Sequence, residues 1–356
     1  MSGRIRLVVL FGGRSAEHEI SCISAFNLLG AVDPERYDVV PIGITRQGQW
    51  VDASSTSLET ASEAGALPSP DLSPASSALE LAGIPPATTD DLTTVVFPLL
   101  HGPMGEDGTM QGLFELAGMP YIGSGVLGSS LCMDKAMAKD VLAVHGIPQA
   151  KWMSARVTDV DADLEKQLAD TLGFPIFVKP ANLGSSIGIS RATDATELRA
   201  AIELAGAYDE HLVFEEAVDG REIEVAVLGN LEPMASMPGE IVCDGVFYGF
   251  EEKYRNPTKL LVPAPLSDSE IALVQELAVT TFKTLRAEGM ARVDFFYTRD
   301  GQFLVNEVNT IPGFTPISMY PMLWEASGLS YAQLIDELVK LALERHERRS
   351  HFTTEH

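Results

Sequence analysis

Glu307 and Asn309 stand two residues apart in the run FLVNEVN, between the turn Arg299-Asp300-Gly301 and Pro312-Gly313. A run bounded in this way predicts a strand, and side chains two apart on a strand share a face. Upstream, RVDFFYT predicts the other arm of a hairpin and brings Asp294 to the same surface. Two carboxylates and an amide oxygen suit a hard cation such as Mg²⁺, which takes oxygen ligands and completes its shell with water and substrate phosphates. A carboxylate among Phe and Val is costly unless it is paired or metal-bound. Alternating acids on a half-exposed strand fit a plain solvent-facing surface equally well, so the hairpin alone leaves both readings open.

Phosphate-binding chemistry is the second signal. Lys179 closes the apolar run FPIFVKP and precedes the loop ANLGSSIGIS. Loop N–H groups and hydroxyls can cradle phosphate oxygens, and a lysine adds a point charge. The spacing is not that of a Walker A loop. Lys135 begins a helix after a Gly/Ser turn, where the helix dipole favours anions; a surface lysine is the bland alternative. Arg292 lies two residues before Asp294, on the same strand face. Glu17 follows the Gly12-Gly13 turn near a helix start, a common place for an acid. His101 opens the loop HGPMGEDG at a strand end, where open α/β sheets carry site residues; a structural histidine is its alternative.

These residues need a frame. The chain has 356 residues, enough for two or three domains. Residues 4–50 read strand, Gly-rich turn, helix, strand, which predicts a βαβ unit and a parallel sheet. Residues 52–90 are rich in Ser, Ala, Pro and Thr and predict a mobile surface insertion. We divide the chain into an α/β unit over 1–125, an α+β unit over 126–220 and a strand-rich unit over 221–356. GSGVLGSSLCMDKAMAKDVLAVHG predicts a helix ending at Gly146. Ser267 with Glu270 predicts a capping box at the start of a long helix, and YAQLIDELVKLALERHERR predicts the last one.

Composition excludes more than it selects. Hydrophobic residues make up 46% and charged residues 21%, as in ordinary globular proteins. A formal net charge of −25 disfavours nucleic acid and anionic membrane as partners. No apolar run approaches the ~20 residues of a membrane helix, and no signal-peptide pattern opens the chain, which predicts a cytoplasmic protein. Cys22, Cys132 and Cys243 are far apart, with no metal spacing.

The ordered set GGRSAEHEIS, LHGPMGEDGTMQG, GSGVLGSSLCMDK, FVKPANLGSSIGI, FEEAVDGREIEVAV, EEKY, ARVDFF and NEVNTIPGFTPIS resembles the D-alanine–D-alanine ligases of the ATP-grasp superfamily. HGPMGEDG together with NEVNTIPG is the specific part. The resemblance covers most of the chain outside residues 52–90 and the tail. It implies a three-domain ATP-grasp fold with an N-terminal parallel-sheet α/β domain. It also implies ATP-dependent ligation of two D-alanines through an acyl phosphate, for peptidoglycan precursor synthesis.

Residue by residue, the resemblance assigns Asp294, Glu307 and Asn309 to two Mg²⁺ ions, with Mn²⁺ an acceptable substitute. Lys135 and Lys179 would contact the α and β phosphates and Lys253 the γ phosphate. Glu215, with the backbone of Glu216 and Val218, would form the adenine hinge, and Glu222 would hold the ribose hydroxyls. Arg292 and the Gly313 N–H would form an oxyanion site. Glu17 would bind the ammonium of the first D-alanine, linked to Ser185 and Tyr254, with His101 helping to bind that substrate. Ser318 and the Met319 backbone would hold the carboxylate of the second D-alanine. A homodimer and a K⁺ activator are implied on the same ground. Two rival readings stand beside this one. A depsipeptide ligase making D-alanyl-D-lactate is disfavoured by Tyr254. A non-catalytic ATP-grasp binding protein is disfavoured by the full set of lysines, acids and Arg292.

Overall fold

The structure is a computed structural model that describes residues 4–53, 78–79, 88–89, 92–242 and 259–352. Three sheets form among these residues.

The first sheet contains β1 (Ile5–Gly12), β2 (Tyr37–Ile44), β3 (Trp50–Asp52), β4 (Ala78–Leu79), β5 (Thr88–Thr89) and β6 (Leu92–Leu99), in the order β4-β3-β2-β1-β6-β5. Central β1 pairs in parallel with β2 and β6, as the βαβ pattern predicts. Its run Leu7 to Leu10 is fully buried, which is why it reads as continuously apolar rather than alternating. Helix α1 (His18–Ala31) covers one face through Cys22, Ala25 and Leu28. Helix α2 (Thr109–Leu116) covers the other through Phe114, which packs with Val8, Leu10 and Tyr121. Most of the expected insertion over 52–90 lies outside the described residues.

Helices α3 (Val126–Met133) and α4 (Lys135–Val144) follow. The sequence predicts a helix that begins at Lys135 and ends at Gly146, and α4 matches it; α3 is an additional helix before it. Asp134 sits between them in extended conformation and caps α4 by accepting from the Met137 N–H at 3.0 Å. The break puts Lys135 in the first turn of a new helix.

The second sheet has the order β7-β10-β8-β9, from β7 (Trp152–Arg156), β8 (Ile176–Pro180), β9 (Ser190–Ala192) and β10 (His211–Glu216). Helices α5 (Ala162–Leu172) and α6 (Ala195–Gly206) bury Leu168, Leu172, Leu198 and Ala201 against it.

The third sheet contains β11 (Gly220–Gly229), β12 (Met234–Ala235), β13 (Gly239–Val242), β14 (Lys259–Leu261), β15 (Gly289–Thr298) and β16 (Phe303–Asn309). Helix α7 (Asp268–Thr284), with the expected Ser267–Glu270 capping box, covers one face through Val274, Ala278 and Phe282. Cys132, Ala138 and Leu142 of α3 and α4 join that same core. Helices α8 (Met319–Ala326) and α9 (Tyr331–Ser350) tie the sheets together. Leu334 and Leu338 share a core with Leu7 and Val9 of the first sheet and Leu228 and Met290 of the third.

One irregularity in β16 decides the site. Strict alternation would put Phe303, Val305, Glu307 and Asn309 on one face. Instead Asp294 pairs with Glu307 and Phe295 with Val305, leaving Asn306 as an extra residue. This bulge resets the alternation. Phe303, Val305 and Val308 enter the core, while Glu307 and Asn309 stay on the charged face with Asp294.

Candidate active site

The charged face of the third sheet is a wall built by β11, β15 and β16. In β11, Ile223, Val225 and Val227 point into the core, so Glu222 and Glu224 point the other way. Register pairs Glu224 with Asp294, Asp294 with Glu307, and Arg292 with Asn309. Arg292 grips Asp294 bidentately, Nε to Oδ1 at 2.7 Å and an Nη to Oδ2 at 2.8 Å, and its Nε lies 3.1 Å from Glu224 Oε2. The Asn309 amide donates to Asp294 at 3.0 Å. Burial disfavours the Arg292 charge, but Asp294 and Glu224 outweigh it and raise its pKa well above the ordinary value.

Facing the wall are lysines from the second sheet and α4. Lys135 Nζ lies 3.5 Å from Glu307 Oε2 and donates to the Leu183 carbonyl at 2.7 Å. Lys179 Nζ donates to Glu215 Oε2 at 2.9 Å and to Asn306 Oδ1 at 3.3 Å. Glu215 is buried on β10. Burial alone would raise its pKa, yet Lys139 and Lys179 hold it down at about 2. Glu216 follows it, its N–H donated to the Lys151 carbonyl at 3.0 Å. Val218 lies half-buried on the way to β11, and Glu222 sits partly exposed two residues from Glu224.

Three loops meet around Glu17, the N-cap residue of α1. Ser185 donates its hydroxyl to Glu17 Oε1. A Cβ on Gly102, whose φ is +77°, would stand 3.0 Å from Glu17 Oε2, and one on Gly184 would stand 3.1 Å from it. The two glycines let both loops approach this carboxylate closely, and the positive φ at Gly102 itself favours glycine. Ser185 and Ser186 themselves carry φ of 52° and 56°, a costly conformation for non-glycine residues that gathers at functional sites. His101 Nδ1 pairs with the Ile311 carbonyl at 2.9 Å, so Nδ1 is the protonated nitrogen. Buried Nε2 then points a lone pair with no hydrogen-bond partner among the described residues. Burial lowers the His101 pKa, against the opposing pull of Glu17, which keeps the ring neutral.

Glu106 clasps the same loops, accepting from the Gly102 N–H at 2.6 Å and the Ile311 N–H at 3.1 Å. Burial, then Glu17, push its carboxyl up to about 8. Past Ile311 the chain runs through Gly313, where a Cβ would stand 3.1 Å from Ser318 Oγ. Ser318 is the N-cap residue of α8 and accepts from the Thr315 N–H at 3.1 Å. Met319 opens that helix.

The structure thus gathers Arg292, Asp294, Glu307 and Asn309 opposite Lys135 and Lys179, and Glu17 with Ser185. Lys253 and Tyr254 lie outside the described residues, as does Cys243. Sequence reasoning missed Glu224, Lys139, Glu106 and Asn306. Glu224 was signalled by alternation with Glu222 in GREIEVAV, and Lys139 by its place one helical turn after Lys135. Asn306 had no signal, because a bulge follows from pairing. The donor set of two carboxylates and one amide fits Mg²⁺ shared with phosphates. Among the described residues no group of three or more His, Cys, Asp or Glu is spaced as a self-sufficient metal cage.

Two family models cover most of the chain: the D-ala D-ala ligase N-terminus over residues 6–124 and the D-ala D-ala ligase C-terminus over residues 141–340. The chain belongs to the D-alanine–D-alanine ligase family. It is 44% identical to the D-alanine–D-alanine ligase of Bacillus cytotoxicus, covering 97% of this chain and 98% of that one. It is 47% identical to that of an Arthrobacter species, covering 96% and 94%. Among solved structures, the D-alanine–D-alanine ligase from Coxiella burnetii superposes with a TM-score of 0.81 at 37% identity, covering 98% of this chain and 97% of that one. The VanG D-Ala:D-Ser ligase from Enterococcus faecalis superposes with a TM-score of 0.80 at 35% identity, covering 96% and 100%. No described helix is long and apolar enough to cross a membrane.

Proposed function

We propose that this ligase joins two D-alanines by phosphorylating the carboxylate of the first with ATP and releasing inorganic phosphate as the amine of the second attacks. The observation that carries the residue assignments is the single face bearing Arg292, Asp294, Glu307 and Asn309, met by Lys135 at 3.5 Å from Glu307. A carboxylate is a poor electrophile, and phosphorylation gives it a good leaving group. Asp294, Glu307 and Asn309 would hold two Mg²⁺ ions. When bound, Mg²⁺ neutralises charge on the transferring phosphoryl group.

The protein's own groups do the rest. Lys135 and Lys179 bind phosphate oxygens. Glu215 and the backbone near Glu216 and Val218 receive adenine, and Glu222 accepts from the ribose hydroxyls. Glu17 binds the first ammonium, with Ser185 holding its carboxylate in place. His101 offers its Nε2 lone pair to the same substrate, which accounts for a buried acceptor without a partner. Arg292 and the Gly313 N–H stabilise the oxyanion of the tetrahedral intermediate. Ser318 and the Met319 N–H at the start of α8 bind the carboxylate of the second D-alanine, as helix N-termini bind anions. We read the chain as a cytoplasmic homodimer of three-domain subunits, divided near residues 125 and 220, with K⁺ as an activator.

The test is turnover. D-alanine should trigger phosphate release from Mg·ATP and yield D-alanyl-D-alanine in equal amounts. ATP binding with no D-alanine-dependent phosphate would support a binding protein instead. Because a D-Ala:D-Ser ligase shares the fold at 0.80, D-serine and D-lactate belong in the same assay as competing acceptors. Preferential use of either would reassign the second subsite.

A further inference from the structure

Lys139 is a buried lysine with no part in the roles above; burial lowers its pKa and the Glu215 carboxylate opposes that shift. Lys139 is 2% exposed, and its Nζ lies 3.2 Å from Glu215 Oε1. Lys179 holds the other carboxylate oxygen at 2.9 Å. Each oxygen of one buried carboxylate therefore has its own lysine. The two lysines differ in reach. Lys139 projects from α4 beside Ala138 and Leu142 of the core. Lys179 stands at the end of β8 and also touches Asn306 on the wall. A nucleotide phosphate arriving along the wall would compete with Glu215 for Lys179, whereas the Lys139 Nζ is buried from solvent. Were Lys179 the sole partner, its transfer to phosphate would strand a buried carboxylate, a heavy cost in a low-dielectric interior.

We propose that Lys139 is a positioning residue, the fixed counter-ion of Glu215 that frees Lys179 for the nucleotide phosphate and keeps Glu215 a pure acceptor toward the amino group of adenine. This rests on the ATP-site reading given above. With Lys139 in place, Glu215 stays compensated whichever way Lys179 turns. Without it, Lys179 is tied to Glu215 and nucleotide must break that pair in order to bind.

Lys139→Met keeps an unbranched side chain one heavy atom shorter and removes its charge. Calorimetric titration with Mg·ADP should show affinity weakened about tenfold or more, with the KM for ATP rising in step and the KM for D-alanine changing less than about twofold. In the Glu215→Gln background there is no buried charge to compensate, so adding Lys139→Met should cost less than about threefold in Mg·ADP affinity. Wild-type affinity in Lys139→Met would overturn the inference. So would an equal loss in both backgrounds, which would make Lys139 a packing residue. If Lys139→Met does not fold, the Lys139→Met/Glu215→Gln pair compared with Glu215→Gln alone still decides: matching affinities support the role and a tenfold gap refutes it. Failure of the wild-type protein to bind Mg·ADP would refute the ATP-site reading itself and the inference with it.

Discussion

The wall of β11, β15 and β16 and the loop cradle around Glu17 hold charge by different means. On the wall, strand register fixes the partners: Arg292 meets Asp294 at 2.7 Å and Glu224 at 3.1 Å, and Asn309 meets Asp294 at 3.0 Å. The cradle is assembled from loops of different sheets. It contains serines at positive φ, an imidazole nitrogen with no hydrogen-bond partner among the described residues, and a carboxyl, Glu106, that burial and the nearby Glu17 keep protonated. A preorganised wall suits charge that develops in a transition state, because no reorganisation is needed when the reaction occurs. A cradle holding an acceptor unmet among the described residues, His101 Nε2, suits a substrate that arrives carrying an ammonium. The difference predicts that wall variants change kcat or stability, and cradle variants change the KM for the first amino acid.

The largest effect falls on Arg292. Arg292→Met takes the guanidinium from Glu224 and Asp294 in the interior, and breaking such a buried ion pair costs about 3–5 kcal/mol. Denaturant unfolding should report that loss, and turnover should fall beyond about 10³-fold as the proposed oxyanion donor disappears. A variant of wild-type stability would mean the wall is not preorganised. Next comes Glu307→Gln, which keeps shape and removes one negative charge from the proposed metal-binding set. It should lower kcat by about 10³-fold while changing Mg·ADP affinity less than about tenfold. Near-normal kcat would give the strand face another role.

Much of the wall was legible because strands have a short, strict period. Asp294, Glu307, Asn309 and Arg292 fell on one face from spacing alone, and the flanking turns bounded β16. The register was not legible. Only the bulge at Asn306 reconciles a buried Val305 with an outward Glu307, and pairing with β15 creates it. Glu224 was overlooked although alternation through Glu222 reaches it. The cradle was the less readable part, since loops from separate sheets have no common period. Glu17, Ser185, His101 and Ser318 were singled out together through family resemblance, and Glu106 stood unremarked inside the motif HGPMGEDG. The helix that begins at Lys135 was legible, whereas α3 was not, because its Gly- and Ser-rich run reads as a turn.

The third prediction sharpens the electrostatic side of the comparison. In the ligand-free protein, Glu106 keeps its proton up to about pH 8, against 4.5 for an ordinary glutamate. Below 4.5 the folded and unfolded chains are both protonated at this site and its contribution to stability is complete. As the pH rises toward 8 the unfolded chain gives up the proton and the folded chain does not. Stability therefore falls, by up to about 1.4 kcal/mol per pH unit from this group. Glu106→Gln should flatten that part of the stability–pH curve, as followed by urea unfolding at several pH values. An unchanged slope would show that Glu106 is ionised in the fold. The smallest effect is Ser185→Ala. Losing the hydroxyl that orients Glu17 should raise the KM for the first D-alanine about tenfold, with kcat changed less than about threefold. A fall confined to kcat would move Ser185 from the cradle to the chemistry.

The central claim is that the wall activates a carboxylate by phosphorylation while the cradle presents it. D-alanine labelled with ¹⁸O in its carboxylate tests this most directly. If phosphate leaves from an acyl phosphate, the bridging oxygen leaves with it. Inorganic phosphate formed alongside D-alanyl-D-alanine should then carry one carboxylate oxygen per turnover, as read by mass spectrometry. Phosphate free of label, or label appearing in AMP, would contradict the account.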